Sequence, residues 1–136
     1  MGHCIFCDII ARKAPAWIVF EDASVIAFFT ISPVAEYHTL VVPKGHASDI
    51  HDVLAQDWVA MNEATHRIVA AYKAQLGIED VQIITSNGAA AQQDVFHIHQ
   101  HIVPRTAGDG QDVVWNEDPS IRERFDDLIA ALGDPI

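Results

Sequence analysis

Three histidines occupy alternate positions, His97, His99 and His101, in the run Phe96-His97-Ile98-His99-Gln100-His101-Ile102-Val103-Pro104-Arg105. If the run is a β-strand, successive side chains alternate faces. The three imidazoles then share one surface at roughly 6.5–7 Å intervals, and Phe96, Ile98, Gln100 and Ile102 line the other. Two chemistries use such a surface. His-x-His can supply adjacent metal ligands, or one imidazole can act as a nucleophile that its neighbours orient. A metal site on the triad wants a carboxylate or another histidine close by, and Ile102 to Arg105 offer none. The nucleophile reading fits better. A largely unprotonated imidazole attacks phosphorus near neutral pH and leaves again readily, splitting one hydrolysis into two displacements.

The elements that must carry these histidines can be read from periodicity. Cys4 to Lys13 reads as a short helix, with Ile5, Ile9 and Phe6, Ile10 at i,i+4 spacing, stopped near Pro15. Trp17–Phe20 and Val25–Thr30 are β-rich and read as a hairpin joined through Glu21-Asp22-Ala23-Ser24. Thr39–Val42 is a strand closed by Pro43, which cannot donate to a ladder. From Gln56 to Leu76, apolar residues recur at three- and four-residue steps until Gly77, predicting one long amphipathic helix. Val81–Thr85 and Val95–Val103 are the last strands, and Pro119–Leu132 a closing helix. Strands outnumber helices and do not alternate with them, so the expected fold class is α+β: a mostly antiparallel five-stranded sheet with one long helix and shorter terminal helices.

The 136 residues suit one domain, 1–136, with a core over about 4–105 and a tail and helix over 106–136. Half of the residues are apolar, a composition that can bury a core. Eight Lys+Arg against 19 Asp+Glu give a net charge of −11, a field that repels nucleic-acid polymers and anionic membranes. The apolar runs fall short of the roughly 20 residues that span a bilayer. Met1-Gly2-His3-Cys4 shows no secretory signal, so a cytoplasmic location is expected. In a reducing compartment, Cys4 and Cys7, spaced C-x-x-C, suggest a metal clip or a redox pair.

The triad, with Cys-Ile-Phe-Cys-Asp-Ile-Ile (4–10), Ala-Phe-Phe-Thr-Ile-Ser-Pro (27–33), His-Thr-Leu-Val-Val-Pro-Lys-Gly-His (38–46) and Gln-Asp-Val-Phe-His-Ile-His (93–99), resembles the histidine triad superfamily. The resemblance covers roughly residues 4 to 105. It implies homodimeric enzymes that cleave a nucleoside monophosphate, here an adenine nucleotide by expectation, from its leaving group through a nucleotidyl-histidine intermediate. It assigns the nucleophile to His99 and the third triad place to His101, whose backbone carbonyl would hold the far ring nitrogen of the nucleophile. It places another active-site imidazole at His38, a phosphate-touching amide at Gln93 and a loop amide near the nucleotide at Asn87. Ile5, Phe6, Ile9 and Phe28 match an apolar slot for a purine, although residue type alone favours ordinary core packing. The resemblance also implies structural zinc on Cys4, Cys7, His46 and His97, with no catalytic metal.

Four positions depart from the family pattern. Thr30 stands where an acidic or amide side chain grips the ribose, so it can make fewer bonds to the sugar hydroxyls. Gln92 replaces a glycine, Asp94 replaces a Ser or Thr near the leaving group, and Gln100 interrupts the apolar back face. Leaving groups of phosphoramidate, acyl and dinucleoside polyphosphate type all stay open, with Arg105 a candidate for an extra phosphate. So do a nucleotide-binding regulator with little turnover and a hydrolase with zinc on the triad.

Overall fold

The computed structural model describes residues 3–136; Met1 and Gly2, on which the leader reading partly rests, lie outside the described residues. The elements run α1 (Ile5–Ile10), β1 (Ile18–Glu21), β2 (Val25–Phe29), β3 (Thr39–Pro43), α2 (Ala55–Leu76), β4 (Val81–Ile84), β5 (Gln100–Pro104) and α3 (Phe125–Leu132), the last preceded by a 3₁₀ turn over Pro119–Arg124. The predicted closing helix is therefore two pieces. The sheet order is β1-β2-β3-β5-β4, and every neighbouring pair is antiparallel. The chain leaves β3 through α2, forms β4 at one edge, and returns to insert β5 between β3 and β4.

Both sheet faces are covered, which explains why β2 and β3 are apolar nearly throughout. Val25, Ala27, Val41 and Ile102 pack against Ala64, Ile68 and Tyr72 of α2. Ile26, Phe28, Leu40 and Val42 pack against Phe6 and Ile9 of α1. The helix periodicity was legible because α2 buries one stripe, Met61, Ala64, Thr65, Ile68 and Tyr72. Its C-terminus is capped as the sequence suggests: Gly77 adopts φ 70°, and its N–H donates to the Lys73 carbonyl.

The strand expected over Val95–Val103 is shorter, Gln100–Pro104. The β3–β5 register pairs Val41 with Gln100, and two residues further on the partner of Ile98 would be Pro43, which has no N–H to give. Residues 97–99 continue beyond the ladder, held instead by the segment that follows β3. The Ile98 N–H donates to the Ala47 carbonyl (2.8 Å), and the His97 ring contacts the Pro43 carbonyl (2.8 Å). The alternation nonetheless holds around the histidines. Ile98 packs on Met61 and Ala47 towards α2, Ile102 joins the same side, and His101 sits opposite Leu40 on the α1 side. Phe96, expected on the α2 side, is exposed.

Gln100 also faces α2 and is buried. Its amide donates to Thr65 Oγ1 (3.2 Å) and Asn62 Oδ1 (3.4 Å) and accepts from Thr85 Oγ1 (3.2 Å), so the apparent break in the apolar pattern is a satisfied polar contact between β5 and α2.

Met61 has no exposed surface and packs directly under Ile98, the residue between the first two triad histidines. Met61→Ala should cost about 2–5 kcal/mol in denaturant unfolding, whereas Met61→Leu, which keeps the volume, should cost less than about 1.5 kcal/mol.

Candidate functional site

On the α1 side of the sheet, a cavity of about 420 Å³ is bounded by α1, the end of β2 and the triad segment. Ile5, Phe6, Ile9, Phe28, Thr30, His99 and His101 line it, together with Leu40, Asp94 and Val95. Phe6, Ile9 and Phe28 are at once core and wall, so the two readings of these residues are one arrangement. The Phe6 ring stands edge-on to His99, 5.2 Å between centroids, and so confines the imidazole from the α1 side. Leu40 and Val95 carry no chemical signal in the sequence, and only folding brings them to the wall.

His99 is 4% exposed, and its Nδ1 lies 2.8 Å from the carbonyl of His97. That carbonyl can only accept, so Nδ1 carries the proton and the Nε2 lone pair is free. This corrects the expectation that the carbonyl of His101 would hold the ring. The His97 carbonyl lies two residues earlier on the chain and beyond the β-ladder, while His101 belongs to the paired strand.

A second set of contacts fixes His101. The Val34 N–H donates to His38 Nδ1 (3.2 Å), so His38 is protonated at Nε2, which lies 2.9 Å from His101 Nδ1. His101 in turn carries its proton on Nε2, a donor at a residue that lines the cavity. Burial, followed by the neighbouring His99 and His38, holds the His101 pKa down to about 4, and burial lowers that of His38. The chain of tautomers therefore persists at neutral pH.

The Cys-x-x-Cys pair meets two histidines. The Sγ atoms of Cys4 and Cys7 lie 3.4 and 3.6 Å from His97 Nδ1, Cys7 Sγ is 3.4 Å from His46 Nδ1, and the two Nδ1 atoms are 3.1 Å apart. A tetrahedron with metal–ligand bonds of 2.0–2.3 Å has edges of about 3.3–3.8 Å; these four separations lie in or near that range and all the donor atoms lie within 4.8 Å of one another, so the residues fit Zn²⁺ in chemistry and approach it in size. His97 Nε2–H donates to the Pro43 carbonyl, which points the Nδ1 lone pair at the cluster. Burial and the neighbouring Cys4 push the Cys7 thiol up to about 11, so without a metal it keeps its proton. Cys4 also caps α1 by accepting the Cys7 N–H, and the same pair of residues thus starts the helix and forms the cluster.

Other expected residues lie elsewhere. The Gln93 amide is occupied by backbone: Oε1 accepts from the Gly88 N–H (2.8 Å), and Nε2 donates to the Ser48 and Val95 carbonyls (2.6 and 3.0 Å). It organises the loop before the triad, and it is not among the residues lining the cavity. Asn87 does similar work, accepting the Ile50 N–H at 2.7 Å. Gln92 holds φ 71°, the left-handed conformation that makes a glycine natural there. Arg105, a candidate for an extra phosphate, is consumed by a bidentate pair with Asp109 (2.8 and 2.7 Å) and by contacts to Asp112 and Gln82.

The HIT domain family matches residues 11–108 of this chain. Over 114 residues the chain is 40% identical to an uncharacterized HIT-like protein of Methanocaldococcus jannaschii, covering 84% of this chain and 88% of the relative. It is 32% identical over 126 residues to the adenosine 5'-monophosphoramidase of Saccharomyces cerevisiae, covering 92% and 75%. Its fold superposes on the crystal structure of a zinc-bound histidine triad family protein from Mycobacterium smegmatis with a TM-score of 0.76 and 34% identity, covering 94% and 96%. Triad, fold and relatives agree, and the chain belongs to the histidine triad (HIT) family.

Proposed function

We propose that the protein is a nucleotide hydrolase that cleaves a nucleoside monophosphate, AMP in the first instance, from its leaving group through a nucleotidyl intermediate on His99. The observation that carries this reading is the orientation of His99: its Nδ1 proton is committed to the His97 carbonyl, and its other nitrogen is left as a lone pair at the cavity. The family relative named as an adenosine 5'-monophosphoramidase supports the activity class. In the proposed cycle, His99 Nε2 attacks the α-phosphorus, and the leaving group departs from the opposite side. His101 Nε2–H stabilises charge on a phosphoryl oxygen, with its orientation set by His38. Water then releases the nucleoside monophosphate. The purine rests among Ile5, Phe6, Ile9 and Phe28, and Thr30 offers one hydroxyl to the ribose side. Gln93 and Asn87 act by holding the loops beside the site. His99→Ala should lower turnover of an adenosine phosphoramidate by at least about 10³-fold while AMP still binds in calorimetry; retained turnover would overturn the assignment.

Zinc on Cys4, Cys7, His46 and His97 is proposed as structural, since four protein ligands fill a tetrahedral site and leave no open position. When bound, the ion supplies a covalent tie between α1 and the triad segment. Protein purified without added metal should contain about one zinc per chain, and chelation should lower the Tm. A metal-free protein of undiminished Tm would remove this claim. A hydrolase with zinc on the triad is disfavoured, because His99 and His101 lie outside the cluster.

A homodimer is the proposed assembly. In support, the apolar side chains Phe125, Leu128, Ile129 and Leu132 of α3 are all exposed, as are Val114 and Trp115 of the preceding tail, and β4 is an edge strand carrying an exposed Ile83. Sedimentation should give twice the 15.0 kDa chain mass, and Ile129→Asp should shift the protein towards the monomer. No described helix is long and apolar enough to cross a membrane.

A further inference from the structure

Asp94 places a carboxyl group at the cavity that the cycle above does not use. Its Oδ1 lies 3.7 Å from His99 Nε2, the atom that would bond to phosphorus, and its side chain is 83% exposed at the cavity mouth. Among the described residues, it is the only carboxylate lining the cavity, and no lysine or arginine lines it. Arg105, the nearest cation in sequence, has its guanidinium committed to Asp109, Asp112 and Gln82. An anionic leaving group would thus meet a carboxylate with no compensating cation, whereas a protonated amine would find a partner.

Resting on the nucleotidyl-histidine reading, we propose that Asp94 is the specificity-determining residue for the leaving group, selecting an amine over a phosphate chain. A nucleoside phosphoramidate takes a proton from solvent onto its bridging nitrogen, and the Asp94 carboxylate accepts a hydrogen bond from that N–H. The His99 Nε2 lone pair forms the new N–P bond as the original P–N bond breaks. The electron pair of the broken bond stays on the departing nitrogen, which leaves as a neutral amine carrying the added proton. In the second step, water forms a P–O bond, the bond to Nε2 breaks with its electrons returning to the imidazole, and the water proton passes to solvent. With a dinucleoside polyphosphate, the same first step would deliver negative charge to a bridging oxygen beside Asp94, which the carboxylate opposes.

The test compares kcat/KM for two substrates with a common adenylyl group, an adenosine phosphoramidate of a primary alkylamine and diadenosine triphosphate, in the wild type, Asp94→Asn and Asp94→Ser. Asparagine keeps the acceptor that holds the Val95 N–H at 2.8 Å, so it removes the charge while preserving the local turn. The wild type should prefer the phosphoramidate, and the preference should fall by at least about tenfold in both variants, through a gain on the triphosphate and a loss on the phosphoramidate. A ratio within about twofold of the wild type in active Asp94→Asn would overturn the role of Asp94 and leave the nucleophile intact. A wild type inert to both substrates would overturn the nucleotidyl-histidine reading and the specificity role with it.

Discussion

The hydrogen bond from His99 Nδ1 to the His97 carbonyl is the contact around which the site is organised. It decides which nitrogen holds the lone pair, and an imidazole with the opposite tautomer would present a proton to the cavity instead. The bond exists because residues 97–99 lie outside the β-ladder, so their carbonyls are not consumed by a neighbouring strand. Pro43 is the local cause, since it ends the β3–β5 ladder by lacking an N–H. The same proline then contributes its carbonyl to the ring of His97. A single residue thus limits the sheet and anchors the first histidine of the triad.

His97 joins two regions that would otherwise be independent. Its ring belongs to the Cys4, Cys7 and His46 cluster, and its carbonyl orients the His99 ring two residues later. The helix that carries the cysteines also supplies Ile5, Phe6 and Ile9 to the cavity wall. Fixing α1 against the triad segment therefore sets the shape of the apolar pocket and the tautomer of His99 together. A six-residue helix has little stability of its own, so tertiary contacts and the donor cluster must supply it.

Much of the architecture was legible because periodicity reports burial directly. The stripe of α2 and the stop at Gly77 follow from apolar spacing and a left-handed cap, and the triad shares one side of its segment as alternation requires. Polar residues were harder to read. Gln100 looked like an interruption, yet its amide is satisfied by Asn62, Thr65 and Thr85, which lie 15 to 38 residues away. Gln93 and Arg105 looked like phosphate ligands because their side chains can bind phosphate. Folding gives those donors to nearer partners, the backbone around Ser48 and Val95 and the carboxylates of Asp109 and Asp112.

The sequence by itself determined the inventory of chemistry: a run of alternating histidines, a cysteine pair, one long amphipathic helix and strands enough for a five-stranded sheet. Those properties depend on residue type and short-range spacing, which the chain carries before it folds. Only the tertiary structure decided which carbonyl holds His99, that His38, just before β3, fixes His101 on β5, and that Asp94 comes within 3.7 Å of His99 Nε2. The first and last of these join residues close in sequence, but the path of the chain between them is set where the segment leaves its ladder and packs on Pro43, Ala47 and Phe6. Those partners are distant in sequence, so residue type and spacing do not encode the geometry.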